Sequence, residues 1–80
     1  KGLAYESYCK FIPFLFKEFD LHKISLEVLS TNIRAINLYG KLRFNIEGIK
    51  REEVIKGDIW IDSIIMSILK DEYEKSISNR

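Results

Sequence analysis

The sequence predicts an α/β fold, an α+β arrangement around a mixed sheet, in the order helix, strand, helix, strand, strand. Three observations predict it. Apolar residues recur at helical spacing over residues 3–19 and 33–42. Residues 23–29 and 43–53 alternate in polarity, and a turn signal at Lys56-Gly57-Asp58 joins the last two extended runs. Hydrophobic residues make up 46% of the 80, which suits a folded core and exceeds what a disordered chain carries.

The first helix is expected from Leu3 to Phe19, with Ala4, Tyr8, Phe11, Ile12, Leu15, Phe16 and Phe19 on the buried face. Pro13 removes one hydrogen bond and crowds the Cys9 carbonyl, so a kink near residues 9–13 is expected rather than two helices. Asp20-Leu21-His22 reads as the turn out of it. Lys23 to Leu29 is a strand with Ile24, Leu26 and Val28 on one face. Ser30-Thr31-Asn32 offers three capping candidates for a helix from Ile33 to Leu42, whose inner positions are Ala35, Ile36, Tyr39 and Leu42. Arg43 to Glu53 and Ile59 to Leu69 then form an antiparallel hairpin. The charged tail, residues 71–80, is expected to be flexible beyond a frayed helical turn.

The formal net charge is +1, spread evenly over both halves, so no nucleic-acid partner is expected. The single cysteine, Cys9, forms no internal disulfide. The longest apolar run, Ile59 to Leu69, contains Asp62 and is too short to span a bilayer. With no secretory pattern at the start, no membrane partner and a cytoplasmic location are expected. No Cys/His cluster suggests a metal.

Few residues point to chemistry by themselves. His22 reads as a solvated histidine, Cys9 as a packing residue, and Lys50-Arg51-Glu52-Glu53 as a solvated strand end. Two places stand out. Gly2-Leu3-Ala4 opens the long helix, where small residues let a phosphate reach unpaired backbone N–H groups. Asn32 follows a strand's carboxyl end, where ligands of open α/β sheets bind, although an N-cap explains it equally. Tyr39 lies two helical turns further on, and from spacing alone reads first as a core aromatic with a satisfied hydroxyl.

At these residues the chain resembles the C-terminal half of a GNAT-superfamily N-acetyltransferase, an acyl-CoA N-acyltransferase fold. Lys1-Gly2-Leu3-Ala4 matches the end of the family's Gln/Arg-x-x-Gly-x-Gly/Ala loop, and Asn32, Ala35, Leu38, Tyr39 and Phe44 match its Asn-x-x-Ala-x-x-Leu-Tyr-x-x-x-Gly-Phe segment. The likeness continues through Glu47-Gly48, Arg51-Glu52, Gly57, Asp62 and Met66, and covers nearly the whole chain. It is nearest the branch of ribosomal-protein N-terminal, polyamine and nucleotide-aminosugar acetyltransferases, closest to the aminosugar enzyme of pseudaminic-acid synthesis.

The resemblance implies transfer of an acetyl group from acetyl-CoA to a primary amine, a nucleotide-aminosugar or a peptide N-terminus first, by direct attack and without a metal. It implies that the amides around Lys1, Gly2, Leu3 and Ala4 hold the CoA pyrophosphate, that Asn32 bonds the pantetheine arm, and that Tyr39 is the general acid. Arg34 is a further candidate for a CoA phosphate. Arg43 stands where the family has glycine, which implies an altered turn there. The family's first strands and helices have no counterpart in residues 1–70, so a fragment with half a cofactor site, inactive alone, is expected. The rival expectation is a non-catalytic remnant that binds CoA or a partner. Homo-oligomers through the sheet edge are also expected.

Overall fold

The computed structural model describes residues 2–78. Its elements are α1 (Gly2–Glu18), β1 (Lys23–Leu29), α2 (Ile33–Lys41), β2 (Asn45–Lys56), β3 (Ile59–Leu69) and α3 (Lys70–Ser78). The strands form one sheet in the order β1-β3-β2, and both pairings are antiparallel. Both strands of the hairpin and β1 fall where alternation puts them, and β1 and β3 have the expected bounds. Among the described residues, the outer edges of β1 and β2 have no strand beside them.

One face of the sheet carries the core. Ile12 and Phe16 of α1 pack with Val28 of β1, Met66 and Ile68 of β3, and Leu42 and Phe44 between α2 and β2. Ile68 is completely buried at the sheet's centre. Each such side chain contributes about 1.5–3 kcal/mol on leaving water. The buried stripe of α1 is narrower than its periodicity suggests. Ile12 and Phe16, four apart, define it, whereas Phe11 and Phe19 at its margins are 49% and 62% exposed. Both instead join Phe14 in a surface row, with ring centroids 6.2 Å and 6.3 Å apart. α1 continues through Pro13 as one helix.

The opposite face of the sheet is strapped by charge. Lys50 of β2 binds Glu27 of β1 at 2.8 Å, and Ser63 of β3 donates to the same carboxylate at 3.1 Å. Lys23 of β1 binds Glu47 of β2 at 2.9 Å, with the direction of charge reversed. These hydrogen bonds hold both carboxyls below the usual carboxylate range and hold the Lys50 ammonium above its own. A carboxyl lowered in this way favours the fold above its unfolded pKa, and the contribution disappears as pH falls through the folded one.

Two departures from expectation have clear causes. β2 does not end at Glu53, because a bulge lets it continue. Arg51, Glu52 and Glu53 stand opposite Asp62 alone, Glu52 has a φ of 51°, and its N–H donates to Asp62 Oδ1 at 2.8 Å. The charged tail is likewise more ordered than expected, forming a helix of nine residues at 70–78. Asp71 and Glu72 complement the dipole of its first turn, and Glu72 Oε1 accepts the Leu69 N–H at 3.0 Å. Tyr73 then stacks on Phe16 with centroids 5.3 Å apart. Among the described residues, no helix is long and apolar enough to cross a membrane.

The turn at Arg43 keeps the geometry that a glycine would give. Arg43 has a φ of 77°, the left-handed region that L side chains disfavour. Its N–H donates to the Gly40 carbonyl at 3.0 Å and the Phe44 N–H donates to the Tyr39 carbonyl at 3.0 Å. This is a Schellman closure, completed by the hydrophobic contact of Phe44 with Tyr39. Arg43→Gly relieves the backbone strain and loses some entropy in return. A net gain of about 0.5 kcal/mol is expected from that balance, read as a higher urea midpoint at unchanged m-value.

Candidate active site

α2 carries the two residues singled out for chemistry, and each end of the helix fixes one of them. At the start, Asn32 Oδ1 accepts the Ala35 N–H at 3.2 Å, while the Asn32 carbonyl accepts from Ile36. Asn32 is therefore an N-cap. The cap uses only the oxygen of the side-chain amide and leaves the two Nδ2 protons directed elsewhere. At the other end, Tyr39 supplies the carbonyl of the Schellman closure, and its ring lies 5.7 Å from Phe44.

Tyr8 of α1 meets Tyr39 edge to face, with centroids 5.8 Å apart and planes at 70°. Both rings are half-buried against the core. A hydrogen bond between the hydroxyls and partial burial push the Tyr39 phenol above its ordinary pKa of 10.0. Tyr39 thus keeps its proton throughout the neutral range. From residue spacing alone, Tyr8 has no role beyond the apolar stripe of α1. Its one signal was a phenol where Leu or Phe would pack as well, since a half-buried hydroxyl needs a partner.

The start of α1 lies against the first half of α2. Ala4 and Tyr5 line an open cleft of about 740 Å³ together with Ile33, Arg34, Asn37, Leu38 and Lys41. Gly2, Leu3 and Ala4 form the first helical turn, where N–H groups have no carbonyl four residues back. Lys1 lies outside the described residues. The structure thus brings Ala4 and the guanidinium-bearing Arg34 to one cleft, with Lys41 as a second cation. Neither Asn32 nor Tyr39 lines it. Tyr39 is instead directed at the α1 face through Tyr8. Cys9 is half-buried against the core, and His22 is exposed with its carbonyl accepting the Lys70 N–H at 2.8 Å. Among the described residues, no group of three His, Cys, Asp or Glu side chains could hold a metal ion.

The chain is similar to several known proteins. The chain is 29% identical over 75 residues to the probable N-acetyltransferase YjcK of Bacillus subtilis (strain 168), covering 94% of this chain and 41% of that protein. It is 38% identical over 74 residues to the uncharacterized N-acetyltransferase p20 of Bacillus licheniformis, covering 91% of this chain and 41% of that protein. The chain therefore spans less than half the length of these relatives. Among solved structures it is similar to the spermidine N-acetyltransferase of Vibrio cholerae in complex with CoA and spermine. That likeness has a TM-score of 0.83 and 32% identity, over 92% of this chain and 44% of that one. The family model of the acetyltransferase (GNAT) domain matches residues 1–65. With most of its length matched by that model, the chain belongs to the GNAT acetyltransferase family.

Proposed function

We propose that these residues form the acetyl-CoA side of an N-acetyltransferase that acetylates a primary amine, with Tyr39 as general acid. The observation that carries this reading is the Tyr39 phenol. It is fixed at its backbone by the helix closure and held between Phe44 and Tyr8, and Tyr8 with partial burial raises its pKa above the ordinary value. Acetyl-CoA supplies the thioester carbon that a free amine attacks. The chain's task is then to hold that group in line and to give a proton to the departing sulfur. Tyr39 is chemically suited to the second, because a neutral phenol has one proton to give.

The donors present fit the cosubstrate. The first-turn N–H groups of Gly2, Leu3 and Ala4, with Arg34 sharing the cleft that Ala4 lines, suit a pyrophosphate. Asn32 Nδ2 offers N–H donors to an amide carbonyl such as those of a pantetheine arm. Asn32→Asp separates this role from capping. Aspartate caps as well as asparagine but carries no donor when ionised. The full-length variant is expected to keep its melting temperature while KM for acetyl-CoA rises about fivefold, as loss of one hydrogen bond of about 1 kcal/mol implies. An unchanged KM would remove Asn32 from the site.

For the acceptor, similarity to a protein named for spermidine supports a polyamine as the first amine to assay. The nucleotide-aminosugar and peptide N-terminus that the sequence resemblance favoured belong in the same panel. Tyr39→Phe protein provides the background rate for each.

A further inference from the structure

We propose that Tyr8 is a positioning residue for Tyr39, aiming its phenol edge-on from α1. The inference rests on the reading of Tyr39 as general acid. Its geometric basis is the junction of two helices. α1 presents Tyr8 one turn before the buried Ile12, and α2 presents Tyr39 at the last turn before its closure. The rings meet 5.8 Å apart at 70°, and Phe44 contacts Tyr39 from a second direction at 5.7 Å. A phenol clamped by two rings and by its own carbonyl has little rotamer freedom left, so its hydroxyl direction is set by Tyr8.

The chemical benefit follows from the pH behaviour of the two reactants. A primary amine attacks only as the free base, and that fraction grows as pH rises towards about 10. A tyrosine acid is lost over the same range. Tyr8 relieves the conflict, because its hydroxyl favours the protonated form of Tyr39 and carries the acid further into the range where free amine is plentiful. Other titratable groups stand nearby: Tyr5, Cys9 and Tyr73 pack against the same core cluster, while Lys41 and Arg43 line the cleft beside Tyr8. Tyr8, together with partial burial, is what raises the Tyr39 phenol above its ordinary value.

Tyr8→Phe in the full-length protein tests this, since it retains the ring and removes only the hydroxyl. The alkaline limb of the pH profile of kcat/KM is expected to move to lower pH, and kcat to fall about 3–10-fold, with KM for acetyl-CoA unchanged. A second readout does not need turnover. With tyrosine labelled at 13Cζ, the Tyr39 resonance, identified by its absence in Tyr39→Phe, should titrate above free tyrosine in the parent protein. In Tyr8→Phe it should titrate lower. An unmoved titration and an unmoved alkaline limb, with Tyr39→Phe still inactive, would overturn the positioning role and leave the general acid standing. Full activity in Tyr39→Phe would overturn both.

Discussion

Tyr39→Phe is expected to lower kcat of the full-length enzyme about 10²–10³-fold, the range that loss of a positioned general acid produces. The substitution removes one oxygen and keeps the ring contacts with Tyr8 and Phe44, so fold and KM for acetyl-CoA should stay close to the parent values. Steady-state kinetics on both substrates checks this. The rate lost should depend on the leaving group: an acyl donor whose departing group needs no proton should be turned over almost as fast by the variant as by the parent. A variant equally slow with both donors would place Tyr39 in alignment rather than proton transfer. The raised pKa also has a stability consequence. Tyr39 contributes stability that is complete below its unfolded pKa of about 10 and is lost as pH rises through the higher folded value.

Phe16→Ala is expected to have the largest effect on the fold. Phe16 is 4% exposed, contacts the sheet core from α1, and carries Tyr73 of α3 on its face at 5.3 Å. Truncating a buried phenylalanine costs about 3–5 kcal/mol through lost burial and the cavity left behind. That is a large share of the roughly 5–15 kcal/mol by which a typical domain is stable, so the urea midpoint should fall steeply. Hydrogen exchange adds a spatial signature: amides of α3 should lose protection first, because Tyr73 has lost the ring it stacks on. Phe16→Leu, which refills most of the volume, should recover much of the stability.

The pattern of polar and apolar residues was enough to read the strands. Lys23–Leu29 and Ile59–Leu69 alternate cleanly or are rich in branched residues, and both have turn residues at their ends, so their bounds were legible. β2 was less so, because a bulge hides register: three residues against Asp62 have no counterpart in a period of two. The sequence of α3 has the look of a flexible tail since charge dominates its composition, and nothing local reveals that Tyr73 will meet Phe16. For the site, the Asn32 cap was visible as a residue type beside a strand end, and Tyr39 as a partner two turns away. Their assignment to acetyl transfer came from resemblance to a family and not from spacing. Tyr8 was invisible because its partner lies 31 residues away, and only the packing of α1 on α2 joins them.

The sheet order has a consequence for how the molecule is made. Among the described residues, β3 is the last strand in sequence yet occupies the middle position, and β1 pairs with it alone. As these residues leave the ribosome, α1 and β1 emerge before Met66 and Ile68, against which Ile12, Phe16 and Val28 pack. The hairpin closes early, because Lys56 and Ile59 are adjacent across its turn. Docking of β1 must then close a much longer loop, from Leu29 to Ser63. Until Met66 and Ile68 arrive, that stripe lacks the strand it packs on, for the several seconds that residues 41–80 take to be synthesised at about 5–20 residues per second. The Phe44 contact with Tyr39 forms with the local helix closure, whereas Tyr8 reaches Tyr39 only once α1 packs on α2, so that contact belongs to the long-range part of folding.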